Sequence, residues 1–179
     1  MQNRYAVGVN WIAFPLHPDT PPGGRTLEDL FANRPVNVSD MVKQLQLTAT
    51  ELGLPFGDRT MTYNSRLAQE LAKWADFRGL ENTFHQLVFK AYFAEGLNIG
   101  DPAVLLELAT TAGLPADETE RVLRERTYRD AVNHDWARSM KIGVTAVPTI
   151  VYGGQALVGA QPTSVLEKFL DENNIPRKP

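Results

Sequence analysis

Residues 142–162 read IGVTAVPTIVYGGQALVGAQP, and the fold turns on how this stretch is read. Ala146 to Tyr152 is short and rich in β-branched residues, with Pro148 near its start, where a strand tolerates a residue lacking N–H. Gly153-Gly154 is a two-residue hairpin signal, because both central residues of the favoured turn need positive φ. Gln155 to Gly159 then returns as a second strand. Beyond it, Thr163 is placed to cap a final amphipathic helix carrying Val165, Leu166, Phe169 and Leu170.

Upstream of Gly143 the period is helical. Ser39 is expected to cap a helix through Met41, Val42, Leu45 and Leu52 that stops at Gly53. Asn64 to Arg78 places Leu67, Leu71, Trp74 and Ala75 on one stripe, and Leu80 to Glu95 places Phe84, Leu87, Val88, Ala91 and Tyr92 on another. Asp101-Pro102 is an N-cap followed by proline at the first helical position, opening a helix to Thr111. Ala116 to Glu125 and Thr127 to Lys141 complete a helical block. Ahead of that block, Arg4 to Phe14 alternates, with Tyr5, Val7, Val9 and Trp11 on one side, and reads as a strand. Residues 15–24, with four prolines and Gly23-Gly24, can sustain neither helix nor ladder and form a surface loop.

With 179 residues, 43% of them hydrophobic and 22% charged, the chain has enough apolar material for a sizeable core. Eighteen basic against twenty-one acidic side chains give a net charge of −3, which offers no basic field for a nucleic acid. Cysteine is absent, excluding disulfides, thiolate-bound zinc and any thiol nucleophile from this chain. No window approaches a membrane span, and no signal-peptide apolar run follows Met1. With Met1 as the natural start, the chain reads as cytoplasmic.

Five strings, FPLHPDTPP (14–22), NSRLAQELAKWA (64–75), AYFAEGLNIGDPAVLLELATTAGL (91–114), ARSMKIGVTAVPT (137–149) and the 142–162 segment, occur in an order and spacing that resembles the DsbA-like family. The likeness is to its cytoplasmic branch, which includes 2-hydroxychromene-2-carboxylate isomerases and kappa-class glutathione transferases. It implies an α/β thioredoxin-like fold with an inserted helical domain: residues 1–37 and 143–179 form the thioredoxin-like part and 38–142 the insert. It also implies a cis Val147-Pro148 peptide bond whose exposed backbone pairs with an extended peptide or with the cysteinyl part of glutathione.

The family's first strand and its C-x-x-C or Ser-containing helix start do not precede Met1, so the N-terminal βα unit of the fold is expected to be missing here. No catalytic residue is assigned, since exchange requires a thiolate. The lost strand would leave Arg4 to Phe14 without its neighbour, and a homodimer pairing these strands is expected to repair that.

Five residues are candidates for ligand binding. Val147 and Pro148 enter for the backbone reason. The resemblance places Ala160 and Gln161 at the turn that receives the γ-glutamyl end of glutathione, and a plain capping turn is the competing reading. His17 is a cleft acid or base, or simply a surface-loop histidine. His85 and His134 lack ligand spacing and are read as structural, and no metal site is expected. For Asn64 and Ser65, helix capping is a sufficient explanation.

The resemblance implies a thiol–disulfide oxidoreductase family member that by itself lacks the redox cysteines. Two alternatives stay open: a non-catalytic peptide- or glutathione-binding module, and a glutathione-dependent isomerase or transferase relative. Expected partners are a peptide thiol or disulfide, or glutathione, and a second copy, with neither nucleic acid nor membrane. No tightly bound cofactor is expected.

Overall fold

Side-chain oxygens set three of the helix starts. Thr26 accepts from Asp29 N–H at 3.0 Å, Asn37 from Asp40 N–H at 3.1 Å, and Asp101 from Ala103 N–H at 2.9 Å with Pro102 as the first helical residue. In the computed structural model, which describes residues 1–178, the elements run β1 (Arg25–Thr26), α1 (Leu27–Phe31), α2 (Val38–Glu51), β2 (Met61–Thr62), α3 (Arg66–Phe77), α4 (Glu81–Phe93), α5 (Pro102–Thr111), α6 (Ala116–Glu125), α7 (Arg129–Lys141), β3 (Thr149–Tyr152), β4 (Gln155–Val158) and α8 (Thr163–Glu172). The chain is mixed α/β and helix-rich. It divides into two units, His17–Asn133 and Met1–Leu16 with His134–Pro179.

The apolar stripes of α3, α4, α5 and α6 meet in the first unit. Leu71, Ala75, Phe84, Ala91, Leu105 and Ala109 are fully buried there, joined by Trp74 and Val122. Burying Leu71, Phe84, Leu105 and Val122 supplies about 1.5–3 kcal/mol each, so this cluster is the main source of the unit's stability. β1 and β2 form a short antiparallel pair, Arg25 opposite Thr62 and Thr26 opposite Met61.

Inside this apolar setting sits one carboxylate, Glu70 on α3, only 2% exposed. Arg126 grips it with two hydrogen bonds of 2.6 and 2.7 Å, and Arg66 adds a third at 2.6 Å. Arg66 also donates to the Arg129 carbonyl and to Asn133 at the start of α7. The grip explains the backbone of Arg126, which ends α6 at φ 54°, a left-handed conformation that usually calls for glycine. The two bonds hold in place a residue that its own side chain would otherwise disfavour.

The second unit joins both ends of the chain. Tyr5 is fully buried against Phe169, Leu170 and Ile175 and donates its hydroxyl to Asp171 at 2.9 Å. Arg177 holds the Asp171 carboxyl below its usual range, helped by the Tyr5 hydroxyl. β3 and β4 pair antiparallel from Thr149 opposite Val158 to Tyr152 opposite Gln155. Gly153 and Gly154 make the turn at φ 58° and 80°, a two-residue turn that only glycine-like residues enter without strain.

Three expectations need correction. Arg4 to Phe14 is not a strand: beyond an isolated bridge between Tyr5 and Arg177 it forms no ladder. Its alternation is real, but the partners it finds are not strands. Ala6 N–H donates to the Pro176 carbonyl and Lys178 N–H to that of Arg4, both at 2.8 Å. Farther along, Asp135 and Ser139, one turn apart on α7, take both polar groups of one peptide residue: Asp135 accepts from Ala13 N–H at 2.9 Å and Ser139 donates to the Ala13 carbonyl at 3.3 Å. The strand through which two copies were expected to pair is not formed. Ser39 lies inside α2, because Asn37 reaches the free N–H of Asp40 first. Thr163 is the first residue of α8, with Pro162 at the cap and no side chain accepting from the helix start.

Glu70 generates a pH-dependent prediction. Burial pushes its carboxyl up, but the hydrogen bonds and charges of Arg126 and Arg66 outweigh burial and leave it below the ordinary value. Because the folded-state value is depressed, this contribution is complete above about pH 4.3 and is lost as pH falls through the lowered value. Glu70→Ala should cost about 2–4 kcal/mol in urea unfolding at pH 7, by leaving two guanidinium groups without their anion. The cost should shrink toward pH 3. A cost unchanged by acid would show that packing, not the ion cluster, carries the effect.

Candidate functional site

β3 is entered through an exposed, polar-unsatisfied peptide. The Val147–Pro148 bond is cis, and Val147 is 45% exposed. Among the described residues neither the N–H nor the C=O of Val147 has a hydrogen-bond partner. Pro148 is fixed from the other side, its carbonyl accepting from Gly159 N–H at 2.8 Å. That single bond extends the β3–β4 ladder by one pair and brings the turn of Ala160 and Gln161 beside Val147-Pro148.

Gln161 donates its amide to the Val158 carbonyl at 2.8 Å, and Thr149 donates its hydroxyl to the Ala146 carbonyl at 2.6 Å. Both ends of the hairpin are thus braced locally. The first turn of α8, starting at Thr163, presents N–H groups without a side-chain cap, the ordinary setting for a carboxylate. One face of the hairpin, with Thr149, Val151, Ala156 and Val158, borders a cavity of about 230 Å³ closed by Ile142 to Thr145.

Four of the five candidate residues, Val147, Pro148, Ala160 and Gln161, therefore lie together in the unit formed by both chain ends. His17 belongs to the other unit. Burial and the charges of Arg34 and Arg25 lower its pKa, so the ring is neutral at pH 7. Its carbonyl accepts from Thr20 N–H at 3.2 Å, which makes it part of a turn. Burial lowers His85 in the same way, and its ring stacks on Phe89. Among the described residues no group of three or more His, Asp or Glu side chains is placed to hold a metal.

The loop that contains His17 is held by two asparagines that capping alone does not explain. Asn64 accepts from Arg66 N–H at 2.9 Å, as a capping residue does, yet its amide donates to the carbonyls of Pro18 at 3.1 Å and Thr20 at 2.7 Å. Asn98 donates to the Pro22 carbonyl at 3.1 Å. Prolines cannot donate from their own nitrogens, so a proline-rich loop has surplus acceptors, and side-chain amides supply what is short. Gly24 closes the loop at φ 80°, where an added Cβ would stand 2.5 Å from the Tyr63 ring. The signal available in sequence was the coincidence of four prolines in 15–22 with two asparagines downstream, and it names no pairing.

Asn64→Asp should separate the two jobs of this residue. The carboxylate keeps the bond from Arg66 N–H and loses both donors to the loop. Amide exchange at Thr20 and Gly24 should accelerate about five- to thirtyfold, matching about 1–2 kcal/mol, while exchange in α3 stays unchanged. Equal acceleration in α3 would mean that the loop is not what Asn64 holds.

Comparison with known proteins places this geometry. The DSBA-like thioredoxin domain matches residues 1–171. The uncharacterized Bacillus subtilis protein YwbO is 28% identical over 172 residues, covering 93% of this chain and 82% of its own. The crystal structure of the probable DsbA oxidoreductase SCO1869 from Streptomyces coelicolor superposes with a TM-score of 0.82 at 25% identity, over 90% of this chain and 73% of that one. A Nitrosomonas europaea structure shares the fold at a TM-score of 0.62 and 14% identity, over 75% and 72% of the two chains. With its β3–β4 hairpin entered at Pro148 and its block of helices, the chain belongs to the DsbA-like thioredoxin-domain family.

Proposed function

We propose that this chain holds the cysteine-containing partner of a thiol–disulfide exchange reaction, either an extended peptide or glutathione, and does not supply the attacking thiolate. The observation that carries this reading is the pairing of an unsatisfied, exposed Val147 backbone with the complete absence of cysteine from the chain. A ligand strand laid beside Val147 gives one N–H and one C=O the partners they lack. The uncapped first turn of α8, next to Ala160 and Gln161, suits a carboxylate such as the γ-glutamyl end of glutathione. Exchange proceeds by thiolate attack on a disulfide sulfur, and that thiolate has to come from elsewhere.

A second reading is favoured by the same lack of cysteine. If the thiol arrives with the ligand, as glutathione, the chain fits a glutathione-dependent isomerase or transferase, in which the protein orients a thiolate it does not own. The two readings differ in the partner: a peptide disulfide for the first, glutathione for the second.

The purified chain should show no insulin disulfide reduction above the buffer rate, and calorimetric titration with an oxidised cysteine peptide and with glutathione should detect binding of one of them. Val147→Pro removes the N–H offered to the ligand at a position where it bonds nothing else. Affinity should fall about five- to tenfold, the worth of one hydrogen bond near 1 kcal/mol. Binding of neither ligand, or unaltered affinity in the variant, would refute the proposal.

A further inference from the structure

The peptide unit that offers the Val147 N–H is held at its other end by a side chain. Thr149 donates its hydroxyl to the Ala146 carbonyl at 2.6 Å, at the short end of the range for a bond between two oxygens. That carbonyl and the Val147 N–H belong to one peptide unit, and the atoms of a peptide unit lie in a plane. The Ala146–Val147 unit is trans, so its C=O and N–H point in opposite directions. Fixing the oxygen therefore aims the N–H.

A second anchor lies on the other side of Val147. Gly159 N–H donates to the Pro148 carbonyl at 2.8 Å, which ties the Pro148–Thr149 unit to the hairpin. The pyrrolidine ring restricts φ at Pro148, so the Val147 carbonyl, carried by the unit between, has little freedom left. Both polar groups of Val147 thus lie between two anchored units, one held by a backbone N–H and the other by the Thr149 hydroxyl.

The residue type at 149 fits this task. Thr149 opens β3, whose sequence is TIVY, and pairs with Val158 across the hairpin, so its Cα is fixed by the ladder. Its β-branched side chain has few χ1 rotamers, which keeps the hydroxyl where the ladder places it. A valine there would have nearly the same shape and a similar preference for strands, but no donor for the Ala146 carbonyl.

We propose that Thr149 is a positioning residue for the ligand: through the Ala146–Val147 peptide plane, its hydroxyl sets the direction in which the Val147 N–H meets the cysteine-containing partner. The inference rests on the functional reading above and adds the group that orients the pairing backbone. Thr149 acts through Val147, with no contact of its own to the ligand. A donor already aimed before the ligand arrives loses less freedom on binding, which is how such a bond adds to affinity.

Two variants separate the hydroxyl from the rest of the side chain. Thr149→Val keeps the surface that borders the hairpin cavity and removes the donor, while Thr149→Ser keeps the donor and removes the methyl group. Calorimetric titration with glutathione and with an oxidised cysteine peptide should show affinity reduced about three- to tenfold in Thr149→Val, the scale of one neutral hydrogen bond. Thr149→Ser should restore it. Nitrogen-15 relaxation of the ligand-free chain reads the positioning itself: the Val147 amide should have an order parameter near that of rigid backbone, about 0.85, in the unaltered protein and fall toward about 0.6 in Thr149→Val. Undiminished affinity in Thr149→Val overturns the inference and leaves the functional reading standing. Equal weakening in both variants overturns it by acquitting the hydroxyl, and weakening with Val147 order unchanged does so by bypassing Val147. A Val147 amide already mobile in the unaltered protein overturns it however the variants fold. Binding of neither ligand by the unaltered chain refutes the functional reading and this inference together.

Discussion

Backbone hydrogen bonding is the constraint on which the unit built from the two chain ends depends. A buried N–H or C=O left without a partner costs about as much as several surface contacts contribute, so each must be matched. From Arg4 to Phe14 there is no strand to match them. The C-terminal segment takes Arg4 and Ala6, and a pair of α7 side chains takes Ala13. Ser139 and Asp135 do for Ala13 what a neighbouring strand would do, one as donor and one as acceptor. The N–H and C=O of Val147 are among the groups that no other described residue matches, and the binding reading arises from them.

The helical unit solves a different problem with the same economy. A carboxylate among apolar helices is unfavourable unless its lone pairs are filled, and Glu70 has three strong donors from two arginines. The arrangement fixes where α6 ends and where α7 begins. The proline loop of 15–24 is held by side-chain amides for the complementary reason, an excess of acceptors over donors. In both places a polar side chain distant in sequence anchors an irregular segment.

Local features were legible in the sequence and long-range ones were not. Gly153-Gly154, Asp101-Pro102 and the stripes of α3 and α4 declare themselves within a few residues, because turn geometry, capping and helical period are local properties. The family resemblance added the grouping of Val147, Pro148, Ala160 and Gln161, which the hairpin then brought together. The strand expected at Arg4 to Phe14 failed because alternation only states that two faces differ; becoming a strand also requires a partner with matching edges. Ser39 failed as a cap because Asn37 is an equally good acceptor two residues earlier. Glu70 and Arg126 lie 56 positions apart, and nothing in their neighbours marks them as a pair. Asn64 was visible as a capping residue, while its hold on Pro18 and Thr20 depends on how the loop folds back.

Residue-resolved mapping of ligand contact is the most direct test of the central claim, that an unsatisfied backbone beside the hairpin receives a cysteine-containing ligand. Amide chemical shifts of the isotope-labelled chain would be followed during titration with glutathione and with an oxidised cysteine peptide. The account predicts the largest changes at Val147, Gly159, Ala160, Gln161 and the first turn of α8, with His17 to Gly24 unmoved. Changes confined to that loop, or no change with either ligand at saturating concentration, would contradict it.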